Sequence, residues 1–275
     1  MPKLHRAIAT ALMILFLGGA AVPAWAANVL VVSNTGDFDQ DRATPRLNGL
    51  LVARGDTVTL AATTPANLAP YTVIYDLRVN APTRSGAELT RYLAFLNAAP
   101  GNVLFLLGEN IGYGGPGNAA ISTFITQAGG GTVSVPTVNT SAAQTLTPAF
   151  NSPNAIGTVP LNFAGVVTST GTGAFGATLA GGTTGSVLTF SPGTLAAATT
   201  GALVVVYDIN FLSTDIPSST GGKFAQNLVN YVAVGAPPVV PVAAVPTMSE
   251  WAIVLLGLIL AGGAAVVLQR RRHLV

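Results

Sequence analysis

Asn102-Val103-Leu104-Phe105-Leu106-Leu107 is the stretch that decides the fold, because it is an apolar run of strand length. Such a run is typical of a central strand in a parallel sheet that is buried on both faces. Further runs of this kind occur at 28–33, 57–61, 72–75 and 202–207. Because they alternate with segments of helical periodicity, the sequence predicts an α/β domain with a three-layer parallel sheet.

Capping residues mark where the helices between these strands are expected to begin. Thr44-Pro45 predicts one helix start, since Thr is a good N-cap and Pro fits the first turn. Ser85 and Glu88 have the spacing of a capping box. Asn118 predicts the cap of a third helix, after a glycine-rich segment that we expect to be a flexible turn or a lid.

Residues 136–200 differ in composition from the rest of the predicted domain, which spans 27–234. They are rich in Thr, Gly, Ser, Ala and Pro, with β-prone pieces at 158–163 and 186–190. A linker is one interpretation, but four phenylalanines are too many apolar anchors for a pure linker. They are Phe150, Phe163, Phe175 and Phe190. We therefore expect a β-rich insertion, either a small sheet or a flap.

The composition of the domain excludes several kinds of chemistry. Both histidines lie near the chain ends and there is no cysteine, so Ser-His-Asp and Cys-His catalysis, histidine-containing zinc sites and disulfides are excluded. Residues 27–244 carry seven basic and nine acidic side chains, a net charge of −2. Without a basic patch we expect no nucleic-acid partner. We also expect no cofactor and no resident metal.

Polar side chains follow most of the predicted strands, where ligands bind in open α/β sheets. The candidates are Asp37, Asp76, Glu109, Asn110, Asp208 and Asn210. They could bind Ca²⁺ or Mg²⁺, a sugar or a peptide, and Glu109 with Asp208 could serve as the acid and base of an unconventional hydrolase. The alternative is structural, because such residues often cap the next helix. We interpret 37–41 as a solvated acidic loop, and Arg78, Arg84 and Arg91 as surface charge.

The first 26 residues have the three parts of a secretory signal peptide. A basic segment with Lys3 and Arg6 precedes the apolar run 7–21, and Ala24-Trp25-Ala26 is a cleavage site of the A-x-A type. We expect signal peptidase to cleave after Ala26, which makes Ala27 the first residue of the mature chain.

The C-terminal end has the sequence features of a membrane anchor. A Pro-rich linker at 235–244 leads to the uncharged stretch Trp251–Leu268, whose 18 residues would form a helix about 27 Å long, against about 30 Å for the hydrocarbon core. The basic tail 269–275 follows, and Arg270, Arg271 and Arg272 place it in the cytoplasm by the positive-inside rule. The predicted topology therefore puts the domain in the periplasm.

The eight residues at 245–252 resemble the IPTL-CTERM sorting signal, a relative of PEP-CTERM signals. They are Val245, Pro246, Thr247, Met248, Ser249, Glu250, Trp251 and Ala252. The resemblance implies an envelope protein anchored in the inner membrane, recognised by an exosortase-type enzyme and passed to the cell surface after processing. Together with the acidic, histidine-free and cysteine-free composition of the domain, it makes a non-enzymatic surface or matrix module, with extracellular polysaccharide or surface proteins as partners, the first functional hypothesis.

The order of elements in 28–135 and 202–233 loosely resembles the class I glutamine-amidotransferase-like group of flavodoxin-type folds. That family places a cysteine nucleophile in the turn that here reads Gly108-Glu109-Asn110-Ile111-Gly112. Neither the family's cysteine nor its histidine is present. The resemblance therefore implies the scaffold and argues against the family's activity.

Overall fold

The computed structural model describes residues 26–80, 83–214 and 218–235. The sorting motif, the span Trp251–Leu268, the basic tail, nearly all of the linker and residues 1–25 of the predicted signal peptide lie outside these ranges. Within them, no helix has the length and apolar character needed to cross a membrane.

The described chain is a mixed α/β domain. Its strands are β1 (Asn28–Val32), β2 (Thr57–Ala61), β3 (Val73–Asp76), β4 (Val103–Gly108), β5 (Asn139–Thr140), β6 (Ala143–Leu146), β7 (Thr158–Pro160), β8 (Ala164–Gly165), β9 (Ala174–Thr178), β10 (Val187–Phe190) and β11 (Ala202–Tyr207). Its helices are α1 (Phe38–Arg54), α2 (Gly86–Ala98), α3 (Ile111–Gln127), α4 (Asn210–Ser213) and α5 (Thr220–Gly235), with a short 3₁₀ helix at Pro148–Phe150.

Nine strands form one sheet in the order β2-β1-β3-β4-β11-β10-β9-β6-β7. The first five are parallel to one another. Their order along the chain is that of flavodoxin-type sheets, in which the order of strands reverses between β1 and β3. Apolar side chains of alternating strand positions form two cores, one beneath α1, α4 and α5 and the other beneath α2 and α3. The predicted α/β class and central strands are confirmed.

The insertion extends this sheet, so the sheet is mixed and not purely parallel as predicted. β10 pairs antiparallel with β11, and β9, β6 and β7 follow, each antiparallel to its neighbour. Phe150 and Phe190 are buried in the two different cores, which explains why the segment is not a linker. β5 and β8 form a separate two-stranded sheet. Phe163, expected to be an anchor, is exposed.

Two helices begin earlier in the chain than the sequence predicts. α1 begins at Phe38, because the Asp37 side chain accepts hydrogen bonds from the backbone N–H groups of Asp39 and Gln40 at 3.1 and 3.0 Å. Thr44 is therefore not the N-cap, and Pro45 lies inside the helix. The acidic segment is the first helical turn, where negative charge is favourable, and not a solvated loop.

α3 includes the glycine-rich segment, which the sequence predicts to be a flexible turn or a lid. It begins at Ile111, and the side chain of Asn110 accepts the backbone N–H of Tyr113 at 3.1 Å. The glycines allow a close approach, since a Cβ on Gly117 would lie 2.2 Å from the carbonyl oxygen of Val79. Asn118, predicted to cap the helix, lies within it. The capping box of Ser85 and Glu88 is confirmed.

Candidate functional site

Asp37 lies at the position where the order of the parallel strands reverses, which is the usual ligand crevice of this architecture. Its second carboxylate oxygen accepts hydrogen bonds from the hydroxyl of Tyr113 at 2.5 Å and from the amide of Asn80 at 2.9 Å. Burial raises the pKa of Asp37, but the bonds from Tyr113, Gln40 and Asn80 outweigh burial and hold it below the ordinary value. Side chains from α1, α3 and the segment after β3 thus bridge the crevice.

A cavity of about 350 Å³ opens at the ends of β1 and β2, beside the first turns of α1. Its polar lining includes Ser33, Asn34, Thr35, Asp41 and Thr44. The hydroxyl of Thr44 donates to that of Ser33 at 2.7 Å. Glu109 and Asp208 are not part of the lining of this cavity.

Asp76 is the last residue of β3 and lies at the centre of a buried ion-pair network. Arg78 forms a two-pronged contact with it, with Nε 3.0 Å from Oδ1 and Nη2 2.7 Å from Oδ2. Arg84 Nε donates to Oδ2 at 3.0 Å, and the hydroxyl of Tyr92 donates to the same oxygen at 2.8 Å. Both arginines are buried, so the expectation that they are surface charges is wrong. Burial alone would raise the pKa of Asp76, but the two guanidinium groups hold it below its ordinary value.

Glu88 balances the second positive charge of this network. Its Oε1 accepts Arg78 Nη1 at 2.8 Å, and its Oε2 accepts the backbone N–H of Ser85 at 2.8 Å. Burial opposes ionisation, but the bonds from Ser85, Thr64 and Arg78 lower the pKa of Glu88 to about 2. The network joins α2 to β3 and to the segment after β2. Because its two carboxylates face two guanidinium groups, Asp76 is fully engaged within the protein.

Glu109 and Asp208 follow the neighbouring strands β4 and β11 and are buried at the same edge of the sheet. Glu109 Oε1 accepts the backbone N–H of Asn110 at 2.8 Å, and Oε2 accepts that of Ile209 at 2.7 Å. Asp208 Oδ1 accepts the backbone N–H of Asn210 at 2.7 Å, while Oδ2 accepts that of Asn162 at 2.9 Å. One oxygen of each carboxylate therefore holds the start of the segment that follows its own strand, and the other binds a segment distant in sequence.

Both carboxyl groups have raised pKa values, and burial is the largest cause in each case. Burial raises the pKa of Glu109 to about 7, although hydrogen bonds from Asn110 and Ile209 oppose the change. Burial, followed by the charge of Glu109, raises the pKa of Asp208 well above its ordinary value. Carboxyl groups with pKa values perturbed in this way are enriched at functional sites.

The amides Asn110 and Asn210 complete the set of predicted residues. Asn110 caps α3 and also donates its amide to Glu109 Oε1 at 3.0 Å. Asn210 donates its amide to the carbonyl oxygen of Asn162 at 2.7 Å. Asn118 stabilises the same turn, accepting the backbone N–H of Glu109 at 3.0 Å and donating to its carbonyl oxygen at 2.6 Å. The structure therefore brings Glu109, Asn110, Asp208 and Asn210 together, with Asp37 linked through Tyr113 and Asp76 in a network of its own.

Exposed apolar side chains occupy the same edge, which sequence reasoning did not identify. We call them the apolar rim: Phe38, Ile111, Val138 and Phe163 are 65, 42, 57 and 61% exposed. Ile111 N–H donates to Asn139 Oδ1 at 3.4 Å and Phe163 N–H to Ser141 Oγ at 3.0 Å, which places both beside the β5–β8 sheet. Phe163 has a positive φ of 56°, rare for a residue other than glycine. The sequence carries no local signal for this conformation.

Among residues 26–80, 83–214 and 218–235, no group of three or more His, Cys, Asp or Glu side chains is arranged to hold a metal ion. The chemistry that these residues offer includes hydrogen bonding, apolar contact and proton transfer by Glu109 and Asp208.

Comparisons with known proteins address the tail and the fold separately. Residues 243–273 match the IPTL-CTERM motif. No curated protein sequence matches the chain. Among solved structures, the chain is similar to the mmIFT52 N-terminal domain, with a TM-score of 0.54 and 10% identity over 75% of this chain and 97% of that chain. This likeness concerns the fold alone, and the amidotransferase-like resemblance is not confirmed. The chain thus carries a C-terminal sorting signal of the IPTL-CTERM type, typical of an exported, membrane-anchored or envelope protein.

Proposed function

We propose that the chain is a periplasm-facing protein of the inner membrane, which an exosortase-type enzyme processes and releases to the cell surface. The match of residues 243–273 to the sorting motif supports this role. The signal peptide, the span Trp251–Leu268 and the arginines Arg270, Arg271 and Arg272 supply the matching topology.

Mass spectrometry of the chain recovered from cell fractions tests the processing. In cells with an active sorting enzyme, we expect a C-terminus near the motif and the chain in the surface fraction. In cells without the enzyme, we expect an intact tail ending at Val275 in the membrane fraction. An intact tail in both strains would exclude processing. The matched variant within the motif is a chain in which both Pro246 and Thr247 are substituted.

The domain itself is proposed to be a non-enzymatic interaction module that binds through the carboxyl edge of its sheet. The observation that carries this proposal is the exposure of the apolar rim at an edge where the carboxylates of Asp37, Glu109 and Asp208 are already hydrogen-bonded within the protein. A partner that covers these four apolar side chains would stabilise the complex by about 25 cal/mol for each Å² of apolar surface removed from water. Extracellular polysaccharide and surface proteins are the two proposed partners, since both offer apolar faces with hydrogen-bonding groups around them.

A binding assay with two matched substitutions tests the module. We expect Phe163→Ser to reduce retention of the mature chain on isolated surface polysaccharide, or on surface protein, by several-fold. Val52→Ser is the control, because Val52 is 56% exposed in the last turn of α1, away from the rim. Equal retention of Phe163→Ser and the unsubstituted chain would contradict the proposal, and equal losses in both variants would indicate unspecific apolar adhesion.

The second candidate function is acid–base catalysis by Glu109 and Asp208. It is favoured by the pKa of Glu109, which at about 7 suits a group that gains and loses a proton near neutral pH. The test is hydrolysis of a panel of glycan and ester substrates. Any activity found should fall by 10²-fold or more in Glu109→Gln and remain in Asp41→Asn, an exposed carboxylate of the same edge. Activity that survives Glu109→Gln would exclude this pair.

A further inference from the structure

The carboxylate of Asp56 lies where the described chain begins, and it accepts the backbone N–H of Ala27 at 2.9 Å. The side chain of Asp56 is completely buried. Asp56 follows Gly55, which ends α1 in the left-handed conformation, and its own N–H donates to the carbonyl oxygen of Leu51 at 3.1 Å. The end of α1 therefore fixes the position of this carboxylate.

The position of the Ala27 nitrogen is also fixed, by the backbone pairing at the start of β1. The carbonyl oxygen of Ala27 accepts the N–H of Thr57 at 3.0 Å, and Asn28 begins the register of β1 with β2. Arg54 occupies the other oxygen of Asp56, with Nε at 2.9 Å and Nη2 at 2.6 Å from Oδ2. Oδ1 thus faces the nitrogen of the residue that follows the predicted cleavage site.

Removal of the signal peptide changes the chemistry of this nitrogen. Hydrolysis breaks the C–N bond between Ala26 and Ala27, and water supplies the hydroxyl group that leaves a carboxylate on Ala26. The nitrogen of Ala27 keeps its hydrogen, gains two protons from water and the new acid, and becomes an α-ammonium. We infer that Asp56 is the receptor for this new ammonium, so that signal-peptide cleavage converts a neutral hydrogen bond into an ion pair. The inference rests on the proposed export of the chain.

The ion pair gives the mature domain a contact that the precursor does not have. Charge-assisted hydrogen bonds are about twice as strong as neutral ones. The charged and titratable groups facing this site are Asp56, Arg54 from the last turn of α1, and the buried phenol of Tyr75 from β3, whose ionisation both charges influence. The buried carboxylate favours the protonated amine, so the new ammonium should lose its proton above the ordinary range of about 7.7–8.0. The added stability is present below that range and disappears at higher pH.

Amine labelling of the mature chain, Ala27–Val275 in detergent, tests the inference with an internal control. The mature chain has only two amines, the α-amine of Ala27 and the side chain of the exposed Lys223. An acylating reagent attacks only the unprotonated amine, and mass spectrometry gives the rate at each position. At pH 8 we expect Asp56→Asn to accelerate labelling of Ala27 at least threefold, with the rate at Lys223 unchanged.

A second variant keeps Asp56 and moves the amine instead. A chain beginning at Ala26 has an amide at Ala27 again, so its α-amine should react as fast as that of an ordinary peptide, with Lys223 as the reference. Circular dichroism establishes that each variant is folded. Equal α-amine rates in all three chains would overturn the inference. A native chain isolated from cells with a first residue other than Ala27 would instead refute the predicted cleavage, which sequencing of the N-terminus detects separately.

Discussion

Raising the pH from 4.5 to 7.5 should destabilise the folded domain, because burial raises the folded pKa values of Glu109 and Asp208. The folded pKa of Glu109 is raised from 4.5 to about 7. A group with a raised folded pKa stabilises the fold below its unfolded pKa, and this contribution is lost as the pH rises through the folded value. At about 1.4 kcal/mol for each pH unit, Glu109 accounts for about 3 kcal/mol. Asp208 changes stability in the same direction.

The assay is urea denaturation of the mature chain in detergent at half-unit steps of pH, followed by circular dichroism. Tryptophan fluorescence is unsuitable, because the only tryptophan after residue 26 is Trp251 in the tail. The domain contains no histidine, so no ordinary side chain of the domain titrates between pH 5 and 7; His273 belongs to the tail. The lowered pKa of Glu88, about 2, affects stability only below about pH 4.5, where stability falls as the pH decreases.

Two substitutions identify the source of the pH dependence. Glu109→Gln removes a titrating group, so the loss between pH 4.5 and 7.5 should shrink by most of the 3 kcal/mol. Asp41→Asn, which removes an exposed carboxylate from the same edge, is the matched control for the loss of one acidic side chain. A free energy of unfolding that is constant or rises over this range would refute the reasoning. The same slope in Glu109→Gln and the unsubstituted chain would also refute it.

Three further predictions follow from packing. Gly117→Ala should cost about 3 kcal/mol of unfolding free energy, because the new methyl would lie 2.2 Å from a backbone oxygen. Gly49→Ala, inside α1 with no atom of a more distant residue within 4 Å, should instead stabilise by about 0.5–1 kcal/mol in the same urea titration. Phe163→Gly should raise stability by about 1 kcal/mol by relieving its positive φ, and an unchanged melting temperature would contradict this strain. Arg78→Met should cost about 3–5 kcal/mol, since Asp76 stays buried with one cation fewer; a cost below 1 kcal/mol would show that Arg84 suffices.

The strands could be predicted from sequence because burial on both faces leaves a continuous apolar run, as at 102–107 and 202–207. The first residues of α1 and α3 could not be predicted from sequence in the same way. Thr44-Pro45 is a good local start signal, but Asp37 competes with it and gains bonds from Tyr113, 76 positions away. The glycine-rich segment becomes helical because Gly117 fits against a neighbouring carbonyl group, a tertiary contact that no local pattern contains.

The sequence allowed the position of the candidate site to be predicted better than the interactions of its side chains. Residues after strands meet at one edge, so Glu109 and Asp208 could be placed together from topology alone. Asp76 is engaged in ion pairs with Arg78 and Arg84, and the sequence gives no sign that these two arginines are buried. The exposure of Phe163 depends on a backbone conformation that an aromatic residue does not signal.

The central position of β11 has a consequence for the order in which an exported chain can fold. β4 pairs with β11, so Val103 meets Ala202, about a hundred residues later in the chain. β10, β9, β6 and β7 join the sheet only through β11. A chain that leaves the membrane N-terminus first therefore displays the bare edge of β4 while the whole insertion is still emerging. An unpaired apolar edge invites association with other chains, so the exported chain is most open to misassociation in the interval between β4 and β11.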